Sequence, residues 1–304
     1  MSARINLMPA AAIARAERIA LVALLTGAVA IAFSPIFVRL SELGPTATAF
    51  HRVALAVPAL WIWRVAERHR MPATPRRTDR REPWLLALAG LCFAGDLALW
   101  HWSIKLTTVA NATLFANLAP IFVTLGAFAL FGERVRPMFL VGLALAIAGA
   151  ALLMGDSLSL STDHLVGDGF GIVTAVFYAG YMLTVSRLRN RFSTATIMTW
   201  TGVVTAFVLL PVALLSGEGL IPATLYGWII LLGLAWISHA GGQSLIAYAL
   251  AHLPAAFSSV ALLLQPVTAA VLAWVLLAEP LGVLQAAGGA IVLFGVFVAR
   301  LASR

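Results

Sequence analysis

The chain has one cysteine (Cys92), one lysine (Lys105) and few charges of any kind: 11% of its 304 residues are Asp, Glu, Lys or Arg. A lone cysteine excludes an internal disulfide and a multi-cysteine metal site. Soluble domains carry about a quarter charged residues, so this chain has too few charges to cover a water-facing surface. No HExxH, paired-aspartate motif or Walker phosphate loop is present, which argues against a zinc protease and an ATP-driven pump. The long apolar runs lack the two-residue alternation from which a membrane β-barrel is built.

What the chain does have is apolar sequence. Hydrophobic residues make up 62% of it, in runs of about twenty. That is the length a helix needs to cross about 30 Å of hydrocarbon. In lipid the backbone must bond to itself, so such runs are helices. The reading is an all-α membrane protein with ten transmembrane helices, at roughly 18–38, 46–64, 83–104, 108–131, 137–155, 167–186, 193–215, 225–250, 255–277 and 281–299. Arg4, Arg15 and Arg18 ahead of Ile19–Phe33 have the look of a signal peptide. The apolar run continues to Val38, which favours a retained first span.

The net charge of +8 raises nucleic acid as a partner, and the placement of the charge argues against it. With the N-terminus inside the cell, 17 of the 20 basic residues fall on the inner side: Arg4, Arg15, Arg18, seven arginines over 64–81, Arg134, Arg136, Arg187, Arg189, Arg191, Arg300 and Arg304. Only Arg39 and Lys105 fall outside, and Arg52 lies within a span. This is the positive-inside pattern. It predicts a bacterial-type inner (plasma) membrane protein with both termini cytoplasmic and the lipid bilayer as its surroundings. The 64–82 stretch, RVAERHRMPATPRRTDRRE, reads as a cytoplasmic anchor beside anionic headgroups.

One phrase occurs twice. Residues 116–133 read ANLAPIFVTLGAFALFGE and residues 262–279 read LLLQPVTAAVLAWVLLAE. At an offset of 146, Trp102 matches Tyr248, Pro120 matches Pro266, Phe128 matches Trp274, Glu133 matches Glu279, Gly142 matches Gly288 and Gly149 matches Gly295. The chain therefore reads as two halves, 1–155 and 156–304, of five helices each. Five is odd, so the second half enters the membrane from the opposite side. Inverted repeats related by an axis in the membrane plane are a transporter arrangement, in which exchanging the two halves' conformations moves a central site from one side to the other.

The order and duplication of these features resemble the EamA-type transporters of the drug/metabolite transporter superfamily. The resemblance rests on Pro45 followed by Arg52, on SIKLTTVANATLFANLAPIFVTLGAFALFGE, and on the glycine-rich VGLALAIAGAALL and AAGGAIVLFGVFVA that follow each glutamate. It implies a ten-helix carrier that exports small metabolites, amino acids among them, without a cofactor. One departure is Ala278, where the pattern has glycine before the glutamate; Gly282 is expected to supply flexibility in its place. The competing readings are a membrane-embedded hydrolase and a lipid-handling or scaffold protein with no small soluble substrate. A hydrolase needs a nucleophile with a base in reach, and Ser258-Ser259 with His252 lack a glycine-flanked elbow.

Polar groups inside spans need a reason. Asp96 lies mid-span, where an acid costs about 2.5–3.5 kcal/mol on insertion scales and must face protein or water. It is read as a proton-coupling site or as a structural hydrogen bond. Trp100 follows by four, on the same face, as an aromatic plane beside an acid that suits an amino group. Arg52 is read as snorkelling outward or pairing with an acid such as Glu42, with a grip on a substrate carboxylate as the alternative. His101 is either part of an interfacial aromatic belt or of a cavity wall. His239 and Gln243 share a face beside Gly241-Gly242, a candidate bend, and are read as cavity lining or as close packing of helices through the small residues. Asn117 and Gln265 stand just before Pro120 and Pro266, whose missing N–H groups free carbonyls upstream and mark gate or hinge positions. Tyr178 and Tyr181 share a face and either line the path or pack. The sequence does not set the oligomeric state, and a monomer is compatible with it.

Overall fold

The computed structural model describes residues 10–70, 82–155 and 162–303. The arginine-rich centre of the 64–82 stretch, Arg4, Asp156 and Arg304 lie outside the described residues. Among the described residues there is helix and no strand. The helices are α1 (Ala10–Ala32), α2 (Ser34–Leu40), α3 (Pro45–Ala54), α4 (Ala56–Arg70), α5 (Glu82–Leu106), α6 (Val109–Ala116), α7 (Ala119–Phe131) and α8 (Pro137–Met154). They continue as α9 (Leu165–Leu188), α10 (Thr194–Leu215), α11 (Leu225–Gly233), a π-helical stretch over Leu234–Gln243, α12 (Ser244–Ala249), α13 (Ala255–Ala261), α14 (Leu264–Leu277) and α15 (Val283–Ala302).

Among the described residues, nine helical segments are long and apolar enough to cross a membrane. The expected second span is not one of them. It forms α3 and α4, interrupted at Leu55, and it carries His51, Arg52 and Arg64. Local chemistry sets the ends. Thr108, Ser193 and Thr224 each accept a hydrogen bond from the backbone N–H three residues on, at 3.0, 3.2 and 3.1 Å. These side-chain oxygens satisfy amides that the first turn leaves free. α7 ends on Gly132 at φ 68°, in the left-handed region.

Both copies of the repeated phrase break just ahead of their proline. α6 gives way to α7 at Asn117 and Leu118, and α13 gives way to α14 at Leu262 and Leu263. A proline has no N–H for the preceding turn and its ring crowds the carbonyl four residues back. The bend expected at Gly241-Gly242 is a widening of the helix: Leu234–Gln243 is π-helical, a form that recurs at functional positions.

Packing follows the small residues. α8 lies against α15 with Gly142 and Gly149 facing Gly295 and Gly288. As one number rises the other falls, so the two helices are antiparallel. Their N-terminal ends, next to Glu133 and Glu279, therefore lie at opposite ends of the bundle. α1 crosses the π-helical stretch at Gly27 and Gly242, and α5 packs along α9 and α10. Hydroxyls tie helices to neighbouring backbones: Thr205 to the Gly90 carbonyl (2.9 Å), Thr199 to Leu60 (3.0 Å) and Ser238 to Ala30 (3.0 Å). Such polar bonds and small-residue contacts hold helices together where lipid gives no hydrophobic driving force between them. Large apolar side chains such as Phe207, Leu215, Leu125 and Phe128 point outward, as lipid-facing residues must.

A candidate transport cavity

A cavity of about 670 Å³ lies between the broken helices. Its wall takes Arg52 from α3, Asp96 and Trp100 from α5, Asn117 and Pro120 from the first break, Tyr178 from α9, Gln243 from the π-helical stretch, and Gln265 and Pro266 from the second break. It is also lined by Arg39, Thr108, Met154 and Glu279. These stand at the C-terminal ends of α2 and α8, the N-cap of α6 and the residue pair after α14, so the cavity opens at the Glu279 end of the bundle.

The position of Asp96 is set by its neighbour. Gly95 has no side chain, and a Cβ there would lie 2.5 Å from the Phe177 ring. α5 and α9 therefore meet closely at this level, and the next residue, Asp96, turns to the cavity with Trp100 one turn on. The carboxylate and the Arg52 guanidinium interact electrostatically. Arg52 thus reaches inward toward Asp96, and the outward pairing with Glu42 does not occur. Glu42 instead accepts from the backbone N–H groups of Ala223 (2.8 Å) and Thr224 (3.2 Å) and from the Thr224 hydroxyl. Those bonds, the hydroxyl's first, hold the Glu42 carboxyl below the ordinary carboxylate range.

Behind this wall runs an aromatic ladder. Tyr178 stacks on Tyr181 at 6.1 Å between ring centroids, Tyr181 lies 4.8 Å from Phe93, and Phe93 stacks on His239 at 5.3 Å. Gln243 is hydrogen-bonded to both tyrosines. Its Nε2 and the Nδ2 of Asn117 are buried donors with no partner among the described residues, and both residues line the cavity. A buried polar atom is costly unless it finds a partner, and these two donors are available to one inside the cavity.

Of the sequence candidates, Arg52, Asp96, Trp100, Asn117, Pro120, Tyr178, Gln243, Gln265 and Pro266 share this one wall. Tyr181 and His239 form the second layer. His101 is buried, with Nδ1 2.5 Å from the Leu97 carbonyl, and belongs neither to this wall nor to an exposed aromatic belt. Its neighbour Trp102 is the exposed one. Sequence reasoning did not pair Arg39 with Glu279, although these two side chains form a salt bridge at the mouth. The signal was present: Arg39 is one of only two basic residues assigned to the outer loops.

Beside Glu279 the backbone differs from expectation. Ala278 itself takes the left-handed conformation, φ 53° and ψ 29°, that Gly132 takes in the first copy. Gly282 is ordinary extended backbone, φ −69° and ψ 157°, so it does not substitute for the missing glycine.

The comparisons with known proteins agree with this architecture. The family model described as "EamA-like transporter family" matches residues 18–155 and again 165–301. An uncharacterized transporter of Archaeoglobus fulgidus is 28% identical over 86% of this chain and 91% of its own length. A probable terminal-alkyne amino-acid exporter of Streptantibioticus cattleyicolor is 29% identical over 88% of each chain. The pseudopaline exporter of Pseudomonas aeruginosa is 28% identical over 68% of this chain and 72% of its own. A solved crystal structure shares the fold with a TM-score of 0.76 at 20% identity, covering 96% of this chain and 98% of that one. The two matched stretches together span nearly all of the sequence, and the chain is a multi-pass membrane protein of the EamA-like transporter family.

Proposed function

We propose that the protein exports small amphipathic metabolites, amino acids among them, by alternating access across a bacterial inner membrane with both termini in the cytoplasm. The observation that carries this reading is the cavity: an acid and a guanidinium face the same 670 Å³ space beside the Trp100 ring and the Tyr178 hydroxyl. A zwitterion offers the complementary groups, its carboxylate to the Arg52 fork and its ammonium to Asp96 and the Trp100 face. The names of two relatives, an amino-acid exporter and a pseudopaline exporter, support the substrate class.

In this reading the chain crosses ten times, with α3 and α4 as the second crossing, and forms two inverted five-helix halves, 1–155 and 156–304. The charge bias sets the Glu279 end outside, so the state described is outward-open. Asp96 carries the proton in exchange for substrate, and Pro120 and Pro266 mark the hinges. No cofactor enters the cycle.

Purified protein in liposomes tests this. Vesicles preloaded with unlabelled amino acid should accumulate external labelled amino acid by counterflow, and Arg52→Gln should reduce that accumulation while leaving the fold intact. Absence of counterflow with every member of an amino-acid panel, in protein that remains monodisperse, would reject the substrate class.

A further inference from the structure

The two ends of the bundle hold the same junction in two forms. At the Glu133 end, Glu133, Phe139, Pro254 and Ala256 line a small pocket of about 350 Å³. At an offset of 146 their equivalents are Glu279, Gln285, Thr108 and Ala110. All four of those line the mouth of the 670 Å³ cavity. At the first end the junction is shut: α13 packs on α7, and the half-buried Glu133 lines one small pocket with Ala256, at the first turn of α13. At the second end the equivalent helices, α6 and α14, make at most sparse contact, and Glu279 is held by Arg39.

We propose that Glu133 and Glu279 are alternating latches, and that Arg39 is the residue that holds the outer one open. When the carrier turns inward, Glu279 leaves Arg39 for the free N–H groups at the start of α6, beside Ala110, as Glu133 now sits at the start of α13 beside Ala256, and Glu133 lets go. Glu279 thereby trades one charge-assisted hydrogen bond for another, which keeps the cost of leaving Arg39 small. Arg39 sets the balance between the states. Because it binds Glu279 only in the outward-open state, it biases the population toward that state by its differential interaction. Phe139 fills the shut junction where Gln285 stands in the open one.

This inference rests on the alternating-access reading, and its test needs no substrate. On a Cys92→Ser background, nitroxide pairs at Leu106 and Leu276 report the outer mouth, and pairs at Leu130 and His252, the 146-offset equivalents, report the inner one. All four residues are exposed. Arg39→Gln and Glu133→Gln should each raise the ratio of outer-closed to outer-open distances about fivefold or more, within the usual range of such couplings. Arg39→Lys, which keeps the charge, should stay near the parent. Unchanged distance distributions in the two glutamine variants would overturn the latch, and if one of them fails to fold the other decides alone. Unchanged distances alongside counterflow reject the latch and leave transport standing. A distance shift without counterflow for any substrate rejects the transport reading and keeps the latch.

Discussion

Gly142 and Gly295 touch backbone to backbone: a Cβ built on either would lie 2.7 Å from the other's carbonyl oxygen. Gly149 and Gly288 meet in the same way at 2.8 Å in each direction. The offset of 146 turns the first pair into the second, 142 into 288 and 295 into 149. The α8–α15 contact is therefore self-complementary about a local twofold, as the two faces of a symmetric dimer would be.

That contact leaves no room for a side chain. A Cβ on Gly142 would also lie 2.5 Å from the Ala299 nitrogen, and backbone cannot swing aside. Gly142→Leu or Gly295→Leu should push α8 off α15 and cost at least the 1–3 kcal/mol typical of overpacking. Thermal melting of purified protein should show a lower midpoint for each. Gly169→Ala, where nothing lies within 4 Å, serves as the control and should change little. Equal melting of all three would mean the helices are not this close.

Ala278 sits in a conformation that costs an L-residue about 1–2 kcal/mol and that its counterpart Gly132 adopts without a Cβ. Ala278→Gly should therefore stabilise the protein by somewhat less than that, since glycine also loosens the unfolded chain. The melting midpoint should rise, and Gly132→Ala should lower it. A fall on Ala278→Gly would show that the methyl contributes contacts worth more than the strain.

Glu218 joins three segments at one end of the bundle. Its carboxylate takes the Ala47 N–H at 2.9 Å and pairs with Lys105 at 2.9 Å. Burial pushes its carboxyl up, but the Ala47 N–H, the Lys105 ammonium and the Thr46 hydroxyl outweigh burial and hold it below the ordinary value. A folded value below the unfolded one means that the stabilisation is full above the unfolded pKa of about 4.3. It is lost as pH falls through the lower folded value. Glu218→Ala should cost about 1–3 kcal/mol at pH 7, and the gap to the parent should narrow below about pH 4.5. A gap that stays constant down to pH 3 would show that the ionised carboxylate is not what holds the loop.

Much of this was legible in the sequence because membranes write their constraints strongly. Apolar run length gave nearly every helix boundary to within a few residues, and Pro120 and Pro266 marked both breaks. Arg52 shows where legibility ended. Its charge predicted an acid partner, but periodicity cannot say which of two acids, Glu42 or Asp96, a long side chain reaches. Glu42 is taken by the start of α11, a contact 182 residues away that no local pattern encodes. His239 looked like a cavity residue by its spacing to Gln243. The π-helical stretch changes the angle between successive side chains, so the shared face of an α-helix does not hold there, and His239 packs behind Phe93.

Asp96 has no acid counterpart in the second half, where residue 242 is glycine. On the proposed coupling this makes one carboxylate per cycle responsible for the proton. Asp96→Asn keeps the shape and most of the hydrogen bonding while removing the titrating group. In vesicles, the variant should still exchange labelled for unlabelled substrate at equal concentrations on both sides. It should lose uphill movement driven by an imposed pH gradient, and its exchange rate should become flat with pH where the parent's is not. A variant that still concentrates substrate against its gradient when only a pH difference is supplied would rule out Asp96 as the coupling group.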